Sequence, residues 1–337
     1  MSTLVQGRNA AEATGRFTMA SLTAFLLRYN FIVIFFVVAA IATCLSNDFL
    51  TWRNICNLFQ QSSVVGIVAI GMTFVILTAN IDLSVGSMVA CSGLIVSLLM
   101  QAGIPPAVAI PATFLIGTCI GATLGAISAY AAVPSFIVTL AGLVTIRGVT
   151  FLLSNGAPIG GLPHGFGAFG SYQIPLLPGV TFPILGLLFL VVWGAASLVL
   201  RYTVFGEYVF ATGGNAEAAR LSGLPVRLIV TLVFAISGLL SSLSGVLLTA
   251  RLRIGQPTAA QGLELDAIAA VVLGGTSLFG GRGSVLGTLF AVMLLQVLRN
   301  IFNLLGLGSF YQMTITGLII IAAILLNRVI DSRQGRR

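Results

Sequence analysis

The chain has 337 residues, of which 58% are hydrophobic and 7% are charged, and its mean hydropathy is +1.09. A water-soluble domain carries about 25% charged residues, so this composition excludes a soluble globule and predicts a protein with many membrane spans. The net charge is +8, and every basic residue is arginine. Without lysine the chain cannot form a P-loop for nucleotides, and its single histidine, His164, excludes paired-histidine zinc or haem sites.

Apolar runs predict about ten membrane-spanning helices. They lie near 29–46, 62–79, 83–100, 107–129, 135–153, 181–200, 226–250, 264–280, 284–304 and 310–327. Residues 29–327 are therefore expected to form one all-α membrane bundle, between an N-terminal segment 1–28 and a C-terminal tail 328–337. Most arginines fall in segments on the same side as the N terminus, so the positive-inside rule predicts that both termini are cytoplasmic.

The basic charge predicts contact with membrane lipid. Because the arginines are scattered between apolar segments, anionic headgroups are expected as partners and nucleic acid is not. Arg251 and Arg253 lie on the predicted outer side, against the positive-inside rule, unless Glu264 and Asp266 neutralise them. No metal or cofactor is expected, since the cysteines have no metal-ligand spacing and their positions are typical of packing.

Two connections between the predicted spans are long. Residues 154–180 are uncharged and rich in glycine and proline, which predicts an outer loop lying against the membrane or a partner. The pattern GxGxxG occurs at 165–170, but a dinucleotide fingerprint follows a strand and opens a helix, whereas this one is expected in a loop. It is interpreted as a false match. Residues 201–225 form the second connection, which is predicted to be cytoplasmic.

A short rigid helix is predicted in the cytoplasmic connection. Asn215 can cap a helix over residues 216–222, and Gly223 can end it. Glu217 near its start and Arg220 near its end both suit the helix dipole. A helix of this kind between two spans is either a lever that a partner can push or an ordinary capped connector.

A stripe of small residues predicts close helix packing. Gly117, Gly121 and Gly125 are four residues apart and so share one helix face. In lipid, small residues let two backbones approach each other closely. The stripe is therefore interpreted as a packing surface.

Polar residues interrupt the apolar runs in three places, namely at 78–86, from 262 to the glycine-rich stretch 274–283, and at Arg147. Ionisable residues in spans usually face the bundle interior or a water-filled cavity, and broken helices are tolerated only where protein or a cavity surrounds them. The candidates for a translocation path or gate are Asn80, Asp82, Ser84, Arg147, Glu264, Asp266 and Thr276. The alternative, that Asp82 and Asp266 only cap helix ends at the interface, stays open.

Three longer motifs are the most informative pattern in the sequence. They are residues 71–77 (GMTFVIL) leading to 81–87 (IDLSVGS), residues 213–223 (GGNAEAARLSG), and residues 264–278 (ELDAIAAVVLGGTSL) leading to 280–283 (GGRG). In this order they resemble the ribose-type permeases of ABC importers, the inner-membrane components of binding-protein-dependent sugar transport systems. The likeness extends from about Tyr29 to Asn327.

The resemblance implies a bacterial multi-pass inner-membrane permease that is not itself an enzyme. Two permease copies, identical or paralogous, would pack together on an ABC ATPase subunit, which can carry two fused nucleotide-binding halves. A periplasmic or surface-tethered sugar-binding protein would dock outside, and ATP hydrolysis would belong to the partner. The ATPase-coupling residues implied by the family motif are Gly213, Gly214, Asn215, Glu217, Ala218, Ala219, Arg220, Leu221 and Gly223.

The expected function is the inward transport of a monosaccharide by alternating access. The motifs are shared across the family, so they do not distinguish ribose from xylose, arabinose, galactose, fructose or a furanosyl signalling molecule. One alternative is an ion-coupled secondary transporter or channel that acts without an ATPase, and another is a membrane scaffold that transports nothing. Few ionisable groups lie along the spans, which disfavours an ion-coupled relay.

Overall fold

The computed structural model of the chain describes residues 30–308, 310–312, 314–315 and 317–318. Its helices are α1 (Asn30–Leu45), α2 (Trp52–Leu77), α3 (Val85–Gln101), α4 (Pro106–Tyr130), α5 (Ser135–Ser154), α6 (His164–Gly170), α7 (Ile184–Tyr202), α8 (Val204–Gly214), α9 (Ala216–Leu221), α10 (Val226–Leu252), α11 (Leu263–Leu273) and α12 (Val285–Leu304). Within the described ranges six helices, α2, α4, α5, α7, α10 and α12, are long and apolar enough to cross a membrane. The prediction of a helical membrane protein is confirmed. The segments 1–28 and 328–337 and most of the last predicted span lie outside the described residues.

Helix α2 forms the centre of the bundle. Every residue from Gly66 to Leu77 is buried, as expected for a helix that is apolar on all sides. The helix contacts α7, α10, α11 and α12, and its side chains belong to the main hydrophobic core. The last turn of α2 is therefore enclosed by protein, and the polar segment 78–84 continues directly from it.

The glycine stripe of α4 packs against α10, as predicted. A Cβ atom on Gly121 would lie 3.0 Å from the Gly238 Cα, and one on Gly125 would lie 2.6 Å from the Phe234 Cβ. These separations are too short for a side chain, so only glycine lets the two helices approach this closely. The packing interpretation of the stripe is confirmed.

Three pairs of like polar side chains join α2 to α12. The pairs are Asn54 with Asn300, Gln61 with Gln296, and Thr73 with Thr288, at hydrogen-bond distances of 2.7 to 2.9 Å. Interhelical hydrogen bonds of this kind average about 0.6 kcal/mol each in a membrane protein. These pairs leave no local signal in the sequence, because the partners are 215 to 246 residues apart in the chain.

The glycine- and proline-rich segment predicted as a loop contains regular structure. Helix α6 is followed by a hairpin in which β1 (Gln173–Leu177) pairs antiparallel with β2 (Val180–Pro183). Helix α6 packs on the end of α10, where a Cβ on Gly170 would overlap the backbone of Ala250. The GxGxxG pattern is thus helical and not in a loop. No strand leads into α6 from the residues before it, so the pattern still lacks the context of a dinucleotide site.

After α10 the chain turns back into the bundle. Gly255 lies against Ser97 in the last part of α3, whereas Ala260 lies against Gly86 at its beginning. Gly86 and Ser97 are 11 positions apart in α3, which corresponds to about 16 Å of helix. Helix α11 therefore begins inside the bundle, and its 11 residues cover about half of a bilayer core. A half-length helix thus replaces the full span predicted near 264–280.

Candidate functional site

The first part of the site is the non-helical segment 78–84, which joins α2 to α3. Ala79 has φ +59°, a conformation that is uncommon for a residue other than glycine. Two hydroxyls of α5 accept hydrogen bonds from backbone N–H groups that have no helical partner. Ile81 N donates to Ser135 Oγ at 3.1 Å, and Leu83 N donates to Thr139 Oγ1 at 3.0 Å. Neighbouring side chains therefore replace the hydrogen bonds that a continuous helix would have made, as a broken helix in a membrane requires.

Asp82 is buried in this segment, with 2% of its surface exposed. Its Oδ1 accepts hydrogen bonds from Ser84 N at 3.0 Å and from Ser84 Oγ at 2.6 Å, and its Oδ2 accepts one from Ser237 Oγ at 2.8 Å. Ser84 occupies the N-cap position of α3, yet its side chain makes no capping bond. Asp82 thus connects the start of α3 to α10 inside the protein, which does not fit a cap exposed at the interface.

Glu264 lies against the start of α3. A Cβ on Gly86 would overlap the Glu264 carboxylate, so the absence of a side chain at Gly86 makes room for it. The Glu264 Oε2 atom is buried and has no hydrogen-bond partner in the described part of the chain. Its charge interacts with the guanidinium of Arg147. The first turn of α11 and the first turn of α3 therefore meet at a carboxylate with unused hydrogen-bonding capacity.

Arg147, predicted as a lone charge in its span, holds the re-entrant chain before α11. Its Nη1 donates to Pro257 O at 2.9 Å and to Ala259 O at 2.8 Å. Charge-assisted bonds to two carbonyls fix the position of this non-helical backbone. Arg147 thus supports the segment that brings Glu264 to the start of α3.

The other predicted path residues lie apart from this polar cluster, which we define as Asp82, Ser84, Arg147 and Glu264. Asp266 forms an ion pair of 2.6 Å with Arg299 of α12. In contrast to the expectation from the sequence, neither Glu264 nor Asp266 forms an ion pair with Arg251 or Arg253 in the described part of the chain, because Asp266 pairs with Arg299 and the Glu264 carboxylate lies against Gly86. Asn80 donates to Thr78 O at 2.8 Å within its own segment. Thr276 is buried after α11, and no described residue is a hydrogen-bond partner of its hydroxyl.

The short helix predicted after Asn215 forms in the structure. Asn215 Oδ1 accepts a hydrogen bond from Ala218 N at 2.9 Å, and Gly223 after the helix has φ +86°. Glu217 and Arg220 form an exposed ion pair, and this bond lowers the pKa of Glu217 below its ordinary value. The pair therefore persists until the pH falls below the usual range for a glutamate. Buried Ala219 anchors α9 to the protein. Helix α8, which precedes α9, was not predicted.

The residues before α9 meet the end of α2 and the turn after α11. Gly281 N donates to Leu77 O at 2.9 Å, and Gly213 lies against both groups. A Cβ on Gly280 would lie 2.7 Å from Gly213 O and 2.8 Å from Ala79 N. We call this contact of Leu77, Gly213, Gly280 and Gly281 the glycine junction. The three motifs singled out in the sequence therefore meet at this junction. Because they are far apart in the chain, no local pattern predicts this contact.

Most of the chain matches one known family of membrane permeases. Residues 54–324 match the family described as "Branched-chain amino acid transport system / permease component". The chain belongs to this family of permeases. It is accordingly a multi-pass protein of the inner membrane, and the six candidate spans agree with that assignment.

Several curated proteins are similar to this permease over most of their length. The ribose import permease RbsC of Escherichia coli K12 is 43% identical, covering 90% of this chain and 94% of that protein. The L-arabinose ABC transporter permease AraH of Azospirillum brasilense is 37% identical over 89% of this chain and 87% of its own. The xylose transport system permease XylH of Haemophilus influenzae is 36% identical, with coverages of 87% and 93%. No solved structure matches the chain significantly.

Proposed function

We propose that the permease is the transmembrane subunit of an ABC importer that carries a ribose-type monosaccharide into the cell. The observation that supports this is its 43% identity with a ribose import permease over 90% of the chain. A sugar-binding protein delivers the sugar outside, and a partner ATPase hydrolyses ATP. The permease itself is not an enzyme and needs no cofactor.

In this proposal about ten helices, the half-length α11 among them, build the membrane domain, both termini are cytoplasmic and a second permease copy completes the pathway. Helix α9 lies at the start of α10 and α6 packs at its end, and the 27 residues of α10 separate them by about 40 Å. That separation is sufficient for α9 to be cytoplasmic while α6 is outside. The arginine asymmetry of the sequence supports the same orientation.

Helix α9 is the element on which the ATPase acts. It is rigid, because its cap and its ion pair are both formed, and it connects to the bundle through Gly213 and Gly214. Gly213 contacts the end of α2, from which the segment 78–84 continues to Asp82. A displacement of α9 is therefore passed through the glycine junction to the broken helix. ATP binding in the partner biases the two arrangements because it interacts with them differently.

The polar cluster is the proposed gate along the sugar path. A sugar presents neutral hydroxyls, which donate to carboxylates and accept from guanidinium groups. Glu264 has an unused acceptor atom beside Gly86 of α3. Asp82 holds the segment before α3, and Arg147 holds the segment before α11. Asn80, Asp266 and Thr276 lie outside the cluster. We assign them to the walls of the path, because Asn80 lies in the segment 78–84 and the other two lie in or directly after α11.

Reconstitution in vesicles tests the proposal. Vesicles containing the permease, its ATPase and its sugar-binding protein should accumulate labelled ribose only when ATP is supplied. Parallel assays with xylose and arabinose, and binding of each sugar to the purified binding protein, identify the cargo. Accumulation of sugar by vesicles that contain the permease alone, driven by an ion gradient, would refute the proposal in favour of a secondary transporter.

A further inference from the structure

A closed turn projects from the bundle beside the start of α9. Ser277 N donates to Arg282 O at 2.9 Å, and Gly280 N donates to Ser277 O at 3.0 Å. Phe279 N donates to Ser277 Oγ at 3.2 Å, so the residue at the tip is also tied to the base of the turn. We call residues 277–282 the Phe279 turn. Its three internal hydrogen bonds hold the backbone in one conformation. The turn would therefore lose little conformational entropy on binding a partner protein.

Phe279 is the most exposed of the large apolar side chains in the described part of the chain, at 91%. It does not lie on the side of a spanning helix, where lipid would cover it, but at the tip of a turn beyond the short helix α11. Exposed Arg282 lies in the same turn. An exposed aromatic ring on a hydrogen-bonded turn is the kind of anchor that fills a pocket on a partner protein.

The turn is joined to the segment that leads into α9. A Cβ on Gly281 would lie 2.7 Å from the Gly214 Cα, and Gly214 immediately precedes the cap residue Asn215. Helix α9 also exposes a large apolar side chain, Leu221, at 76%. The two exposed apolar side chains thus belong to neighbouring elements, which are joined where Gly281 contacts Gly214.

We infer that the Phe279 turn is a second contact site for the ATPase, and that Phe279 inserts into a pocket on that subunit next to the site occupied by α9. This inference rests on the proposed function, since it needs an ATPase at the α9 end. Two contacts, one on each side of the glycine junction, would allow the partner to change the angle between α9 and the half-helix α11.

Truncation of the aromatic ring tests the inference in the complex of permease and ATPase. Phe279→Ala should weaken ATPase retention during purification by about tenfold or more, as expected for an interface anchor, and should lower ATP-driven uptake. Phe136→Ala is the matched control, because Phe136 is an exposed phenylalanine on the spanning helix α5. It should leave ATPase retention unchanged.

Photo-crosslinking supplies a second readout that does not depend on a truncated side chain. A benzoyl-phenylalanine residue at position 279 should crosslink to the ATPase, and the same residue at position 136 should not. If position 279 crosslinks only to lipid and ATPase retention in Phe279→Ala equals that of the control, Phe279 is a membrane anchor and the inference is wrong. If Leu221→Ala weakens ATPase retention but Phe279→Ala does not, the inference fails while the proposed function stands. Uptake without any ATPase would refute the proposed function itself.

Discussion

Replacing Gly213 with alanine puts a methyl group against two backbone atoms that cannot rotate away. The new Cβ would overlap Leu77 O and would lie 2.6 Å from Gly281 N, the two partners of a hydrogen bond at the centre of the glycine junction. To accommodate it, α8 must shift away from α2 or the hydrogen bond must break. Either change disturbs the connection between α9 and the segment 78–84.

The cost of this substitution can be worked from the contacts. Overpacking of a tight site costs about 1–3 kcal/mol, and the loss of a buried hydrogen bond adds about 1 kcal/mol. Alanine recovers up to about 1 kcal/mol because it favours the helix more than glycine does. The net destabilisation should therefore be about 1–3 kcal/mol. Transport should fall by more than this loss of stability alone would cause, because the substitution strains the glycine junction that connects α9 to the segment 78–84.

Gly214→Ala is the matched control for Gly213→Ala. Both residues lie in the last turn of α8, but a Cβ on Gly214 would meet no atom within 4 Å. Thermal unfolding in detergent should show a lowered melting temperature for Gly213→Ala and an unchanged or raised one for Gly214→Ala. Sugar transported per ATP hydrolysed should fall for Gly213→Ala. Equal melting temperatures and equal transport ratios in the two variants would show that the glycine junction does not connect α9 to the segment 78–84.

Three further predictions concern other contacts. Glu217→Arg puts two like charges beside each other on α9, so ATP hydrolysis should continue while uptake falls by about tenfold, and unchanged uptake would contradict the lever. Asn54→Leu leaves the Asn300 amide unpaired and should cost about 1–2 kcal/mol of stability, and a double-mutant cycle with Asn300→Leu should show non-additive losses. Asp82→Ala removes the acceptor of three hydrogen bonds and should cost about 2–4 kcal/mol in thermal unfolding, whereas a loss below about 1 kcal/mol would contradict its bridging role.

The local features of this protein could be predicted from the sequence because their signals lie within a few residues of each other. The cap at Asn215 and the stop at Gly223 define α9, and the polar break near Asp82 marks the broken helix. The glycine stripe of α4 was also predictable, since a repeat of four residues selects one helix face. These predictions needed only backbone preferences and helical periodicity.

Other features depended on contacts between distant parts of the chain. The four residues of the polar cluster were chosen as separate candidates, and only the packing of α3, α5, α10 and α11 brought them to one place. Helix α8 and the helical GxGxxG segment were not predicted, because their sequences suit a loop as well as a helix. Packing against the rest of the bundle selects the helix in both cases.

Hydropathy and capping act locally, so the amino-acid sequence was enough to establish the class of the protein, the positions of its helix breaks and the form of α9. The length of α11 and the meeting of the motifs around Leu77, Gly213 and Gly281 emerged only from the packed fold. Those outcomes depend on how closely backbones far apart in the chain can approach, which is a property of the packed bundle.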